Sequence, residues 1–193
     1  MSHNPSTPIV SYSTMLGLSL KAAPFKLSFD LGLGLTTTRD YRIERSEDAF
    51  KLEPSRIVEG RDQRTTVMIK NIPNKYTQKM LLERLDVRHA GRYDFFYLPI
   101  DLKNNCNVGY AFINMSDPVY IVPLFKDLSG KKWERFNSEK ICVLTYGRIQ
   151  GKEKLVDNFQ AAVDLRKVKP AVFTTSRCPQ RERDEIVAAY RHD

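Results

Sequence analysis

Two aromatic side chains, Tyr110 and Phe112, stand two residues apart in NVGYAFINM (107–115), among small and apolar neighbours. On a strand, residues i and i+2 share a face. The rings would then be neighbours, with Ala111 and Ile113 on the reverse. Either the ringed side is a core or it is a platform for something flat. Other chemistry is poorly provided for. His3, His89 and His192 are scattered, with no Cys, Asp or Ser arrangement around them suited to metal or nucleophilic work. Cys106, Cys142 and Cys178 are odd in number and lack metal-ligand spacing, which fits a reducing nuclear or cytosolic compartment. DLGLGLTTT (30–38) lacks the third glycine of a dinucleotide turn, and LSGKKW (128–133) lacks the flanking residues of a P-loop. No catalytic site and no cofactor are read here.

The elements that must hold the rings follow from periodicity. TTVMIKNIP (65–73) is β-branched and apolar and stops at proline, a strand. TQKMLLERLDV (77–87) is a helix capped by Thr77, with an apolar stripe of Met80, Leu81, Leu82 and Leu85. YDFFYLPID (93–101) and GYAFINM (109–115) are two further strands. SDPVYIVPLFKDLSG (116–130) is a second helix, in which Pro123 should remove a backbone bond and bend the axis. KICVLTYGRI (140–149) is the fourth strand. The order is βαββαβ, a ferredoxin-like α+β fold with two helices on one face of an antiparallel sheet and the other face open. Residues 1–56 read as a mostly disordered N-terminal segment. Residues 57–168 read as the domain with a helix after its last strand, and 169–193 as a tail able to form a short, solvated helix.

Face assignment uses the same two-residue period. A lysine on a core face is costly, so Met68 and Lys70 face out while Val67 and Ile69 face in. Tyr110 and Phe112 then join Met68 outside, with Phe95 and Tyr97 from the second strand. Cys142, Leu144 and Tyr146 face in, Val143 and Thr145 out. The open face is expected to show Met68, Lys70, Tyr97, Tyr110 and Phe112. The net charge of +8 sits almost wholly in residues 61–168, with 19 basic and 12 acidic side chains. Exposed rings amid excess positive charge suit unstacked bases and their phosphates; a merely soluble basic domain, its rings covered by another part of the chain, is the plain alternative.

GYAFI (109–113) and VMIKNI (67–72) resemble the octamer and hexamer of the RNA-recognition-motif superfamily. Val108 stands where the octamer begins with a basic residue, and Met68 where the hexamer has an aromatic. RTTVMIKNIPNKYTQKML (64–81), YDFFYLPIDLKNNCNVGYAFINMSDP (93–118), GKKWERFNSEK (130–140) and RIQGK (148–152) are similar to the C-terminal recognition motif of the Mei-two-like family. That resemblance implies a non-enzymatic binder of single-stranded RNA, a post-transcriptional regulator of meiotic or developmental genes in the nucleus and/or cytoplasm. It implies stacking by Tyr110 and Phe112, with Met68 as a weaker platform and Tyr97 as a further contact. Lys70, Lys75 and Arg148 would meet phosphates or base edges, and Asn71 would either do so or cap its turn. Family members usually carry two further motifs upstream, so the chain is expected to be a minimal member or a fragment. The alternative is a protein-interaction module that binds a peptide on its helical side through Lys131, Lys132 and Trp133, although a lone tryptophan more often packs. The helix at 151–167, with Leu155, Val156 and Phe159 on one side, is expected at the sheet edge, the other options being to cross the aromatics or dock a partner protein. No stretch has the length of a membrane span.

Overall fold

Val67, Ile69, Ala111 and Ile113 are the small and β-branched side chains that alternation sends to one side of two neighbouring strands, and all four are buried. The computed structural model describes residues 48–101, 103–163 and 170–192. Its elements are α1 (Pro54–Val58), β1 (Thr66–Lys70), α2 (Gln78–His89), β2 (Tyr93–Tyr97), β3 (Ile100–Asp101), β4 (Cys106–Asn107) and β5 (Tyr110–Met115). A 3-10 turn (Pro118–Tyr120) runs into α3 (Ile121–Leu128), followed by β6 (Val143–Tyr146), α4 (Lys152–Val163), β7 (Ala171–Val172) and α5 (Gln180–Arg191). One antiparallel sheet has the order β6-β1-β5-β2-β7, and β3 pairs with β4 in a small hairpin. The expected α+β order is present.

The inner sheet residues Val67, Ile69, Phe96, Ala111, Ile113 and Leu144 share one core with Leu81 and Leu85 of α2 and Ile121, Leu124 and Leu128 of α3. Thr77 caps α2 as its sequence suggests, its hydroxyl accepting the Met80 N–H at 3.2 Å. Asp117 caps the 3-10 turn by accepting from the Val119 N–H. Pro123 is the third residue of α3, where a backbone N–H has no intrahelical acceptor in any case. The expected disruption is therefore absorbed where the 3-10 turn becomes α-helix.

Several boundaries differ from expectation. β1 stops at Lys70 because Asn71 takes a left-handed φ of 61°. Pro99 separates β2 from β3. Residues 1–47 lie outside the described residues, but 48–56, expected to be disordered, are built in. Lys51 bridges Thr145, the Tyr146 N–H donates to the Phe50 carbonyl, and Leu52 and Ile57 are buried. β7 was not anticipated; it pairs with the outer edge of β2. α5, expected to be solvated, docks on the helical layer. Glu182 accepts from Arg92 at 2.7 Å and from the Tyr120 hydroxyl at 2.8 Å, and Arg183 pairs with Asp117.

A buried network joins the two helices beneath the sheet. Asp127 accepts two bonds from Arg84, at 3.0 and 3.2 Å, and one from His89 Nε2 at 3.2 Å. Burial pushes the His89 imidazole below its ordinary 6.5, and Asp127 only partly offsets this. Burial alone would raise Asp127, but the Arg84 guanidinium outweighs it and holds the carboxyl below 3.8. Both groups bind protons more readily in the unfolded chain, so the stability they contribute is lost as pH falls. Urea midpoints should begin to drop as pH passes below about 6.5, with a second loss in the carboxylate range. His89→Gln should remove the first step, and a midpoint flat from pH 7 to 5 in the unmutated chain would refute the assignment.

Candidate nucleic-acid interface

The rung that carries Tyr110 is fixed by the strands on both sides. In register, Tyr110 lies opposite Lys70 of β1, and Lys70 lies opposite Val143 of β6. One rung along, Phe112 lies opposite Met68 on one side and Tyr97 on the other, and Met68 lies opposite Thr145. Directly opposed residues share a face. All seven therefore stand on the side away from α2 and α3, as alternation requires. Phe95, two residues before Tyr97, faces outward too, opposite Asn114, and the register shift between Tyr93 and Phe95 turns Tyr93 into the core instead.

Asn107 sets the start of β5. Its side-chain amide donates to the carbonyls of Pro73 and Tyr76 at 2.8 and 2.9 Å, while its oxygen accepts the Gly109 N–H at 2.8 Å. The Ile72 N–H donates to the Gly109 carbonyl at 2.9 Å, and Gly109 has a φ of 92°, open to glycine without penalty. This buried asparagine ties the turn after β1 to the residue before Tyr110. No period in the sequence marks it.

The outer face is not open as expected. α4 crosses it instead of lying at its edge, and drives Phe159 among the rings. Phe159 lies 4.7 Å from Tyr97, 5.3 Å from Phe112 and 6.1 Å from Phe95, centroid to centroid. Phe112 is left 8% exposed and Tyr97 1%. Two residues expected to be bare are thus covered, because Phe95, Tyr97 and Phe112 form an apolar patch too large to leave in water. Aromatic contacts of this kind contribute about 0.5–1.5 kcal/mol each beyond the area they bury. Asp94, at the bulge in β2, has its carboxyl raised by burial, against the Asn114 amide and the Lys152 charge.

What stays accessible is the half of the face nearer β6. Tyr110, Met68 and Lys70 are half-buried and Val143 is 39% exposed. Tyr110 meets Phe112 edge-on at 5.7 Å. Lys75 is exposed in the turn after β1, at the Tyr110 end. Asn71 is exposed, but its amide donates to the Ile141 carbonyl at 3.0 Å, which favours the turn-fixing alternative. Arg148 is not brought to this group. It lies beyond the opposite end of β6, with its guanidinium 5.5 Å from the Phe50 ring centroid.

Trp133 is buried against Tyr76 at 5.2 Å, in the packing role. Its ring is not presented to a peptide on the helical side. Among the described residues, no group of three or more His, Cys, Asp or Glu is placed to hold a metal ion, and no helix is long and apolar enough to cross a membrane.

With this geometry in place, likeness to known proteins is specific. The family model for RNA recognition motif 2 matches residues 64–160. Protein MEI2-like 5 of Oryza sativa subsp. japonica is 57% identical over 136 residues, covering 70% of this chain and 17% of that protein. Protein MEI2-like 1 of Arabidopsis thaliana is 57% identical over 129 residues, covering 65% of this chain and 14% of that protein. The chain thus spans about a sixth of the length of these relatives. Among solved structures, the Rna15 RRM with bound RNA (GU) aligns at a TM-score of 0.39 and 17% identity, over 50% of this chain and 96% of that one. By its matched residues, the chain belongs to the RNA recognition motif 2 family, in its Mei2-like branch.

Proposed function

We propose that this domain binds single-stranded RNA on the outer face of its sheet, without enzymatic chemistry. One observation carries the reading: the Tyr110–Lys70 rung sets a ring beside an ammonium on the accessible half of that face, within a recognition-motif domain. A base stacks on Tyr110 while Lys70 meets its phosphate, and Met68 extends the platform as a polarizable surface. Lys75 adds charge at the same end. Phe112 and Tyr97 join only when Phe159 withdraws, so α4 competes with RNA for the inner part of the platform. Arg148 meets RNA only if the strand is long enough to reach the far end of β6. Asn71 holds the turn that presents Lys70.

The cellular role we propose is post-transcriptional control of meiotic or developmental genes, in the nucleus and/or cytoplasm. Family resemblance supports it. The peptide-binding alternative loses its main support with Trp133 turned inward and α5 seated on the helical layer. A partner docking on α4 would have to compete with the sheet for Phe159.

Crosslinking in cells, with recovery of bound RNA, tests both the ligand class and the role. In fluorescence anisotropy with single-stranded RNA, Tyr110→Ala should weaken binding by about 1–3 kcal/mol while the fold is kept. Lys70→Ala should lower the salt slope by about one phosphate equivalent. Unchanged affinity in a folded Tyr110→Ala chain would sink the sheet-face reading. Phe159→Ala should do two things at once: speed amide exchange across 152–159 and strengthen RNA binding severalfold, since part of the platform no longer has to be uncovered. If binding weakens instead, Phe159 is itself part of the RNA surface and not a competitor.

A further inference from the structure

The hairpin between α3 and β6 carries the GKKWERFNSEK stretch, which the sheet-face reading leaves unused. It adds a rung to the sheet. Lys132 bridges Ile141 in antiparallel register, the Cys142 N–H donates to the Lys131 carbonyl at 2.8 Å, and the Gly130 N–H donates to the Cys142 carbonyl at 2.9 Å. Ile141 precedes Val143 by two residues and so shares its outer side, and Lys132, directly opposite, shares it too. Ile141 is 46% exposed. The accessible half of the face thus continues from Tyr110 and Lys70, through Val143 and Ile141, to Lys132.

The hairpin is held rigidly from behind. Tyr76 lies between Trp133 at 5.2 Å and Phe136 at 5.1 Å. Asn71 grips the Ile141 carbonyl, and Lys140 Nζ donates to the Ile72 carbonyl and to Asn74 Oδ1. The chain reverses at Phe136 and Asn137, both with left-handed φ, a conformation that is strained for a bulky residue and is kept where the surroundings enforce it. Two exposed β-branched side chains are therefore fixed between two ammonium groups. Towards β2, the next rung, Phe112 and Tyr97, is covered by Phe159.

We propose that Ile141, Val143 and Lys132 form a second nucleotide subsite, so that an RNA strand leaving Tyr110 crosses β1 and β6 onto the hairpin, away from β2. This rests on the RNA-binding reading above. A base lies against Ile141 and Val143, and the next phosphate meets Lys132. Glu139 pairs with Lys132 at 2.5 Å, with both side chains exposed, and the incoming phosphate takes Glu139's place.

The test uses the whole chain and a random pool of single-stranded RNA about twelve nucleotides long, a length within the site sizes of single-strand binders. Ile141→Ser with Val143→Ser should weaken binding about tenfold, and Lys132→Ala should lower the salt slope by about one. Ultraviolet crosslinks should map to the 139–144 segment. Val87→Ser, a substitution on the exposed surface of α2, should change nothing, and unfolding midpoints check that each variant is folded. If Tyr110→Ala weakens binding while the double variant and Lys132→Ala leave affinity and salt slope unchanged, the subsite is refuted and the sheet-face reading stands. If the unmutated chain binds no RNA from the pool, both fall together.

Discussion

The seating of Phe159 against Phe95, Tyr97 and Phe112 is the interaction on which the character of this domain turns. Four strands in the order β6-β1-β5-β2 leave one layer of side chains facing the helices and one facing away. The layer facing away is aromatic on its β2 side and basic or β-branched on its β6 side. Water tolerates the second composition better than the first. α4 resolves the mismatch by covering the aromatic half alone, and this divides a uniform-looking face into a sealed part and an available part.

Much of this was legible in the sequence. Alternation placed Met68, Lys70, Tyr110 and Phe112 on one side and Val67, Ile69, Ala111 and Ile113 on the other, because a strand offers only two directions and a lysine in the core is expensive. The same logic sorted Cys142, Leu144 and Tyr146 from Val143 and Thr145. The helix containing Leu155 and Phe159 was visible from its apolar side, but its destination was not. A sheet edge and a sheet face satisfy such a side equally well in one dimension. The clue lay in β2, where Phe95 and Tyr97 both point outward and make an unusually large apolar surface for a free face.

Other features left no periodic trace. Asn107 acts through three hydrogen bonds to backbone groups, two of them distant in sequence, and Asn71 through a backbone angle and one amide bond. Such roles depend on which carbonyl happens to be near, and that is a property of the assembled chain. β7 is two residues long, too short for any pattern to announce it. Lys131, Lys132 and Trp133 could be read as a peptide-binding triplet only while their directions were unknown. The bridge to Ile141 sends Lys132 to one side, and the packing on Tyr76 holds Trp133 on the other.

The pairing of β7 along β2 reaches beyond recognition to solubility. A strand at the rim of a sheet exposes unused amide and carbonyl groups, which invite a second molecule to add itself. Here Ala171 and Val172 occupy that rim opposite Phe96 and Phe95, and Lys51 meets the opposite rim at Thr145. A chain cut before residue 170 would uncover the β2 border beside its most aromatic surface. The loss would surface first as self-association in concentrated solution, with the helical core still intact.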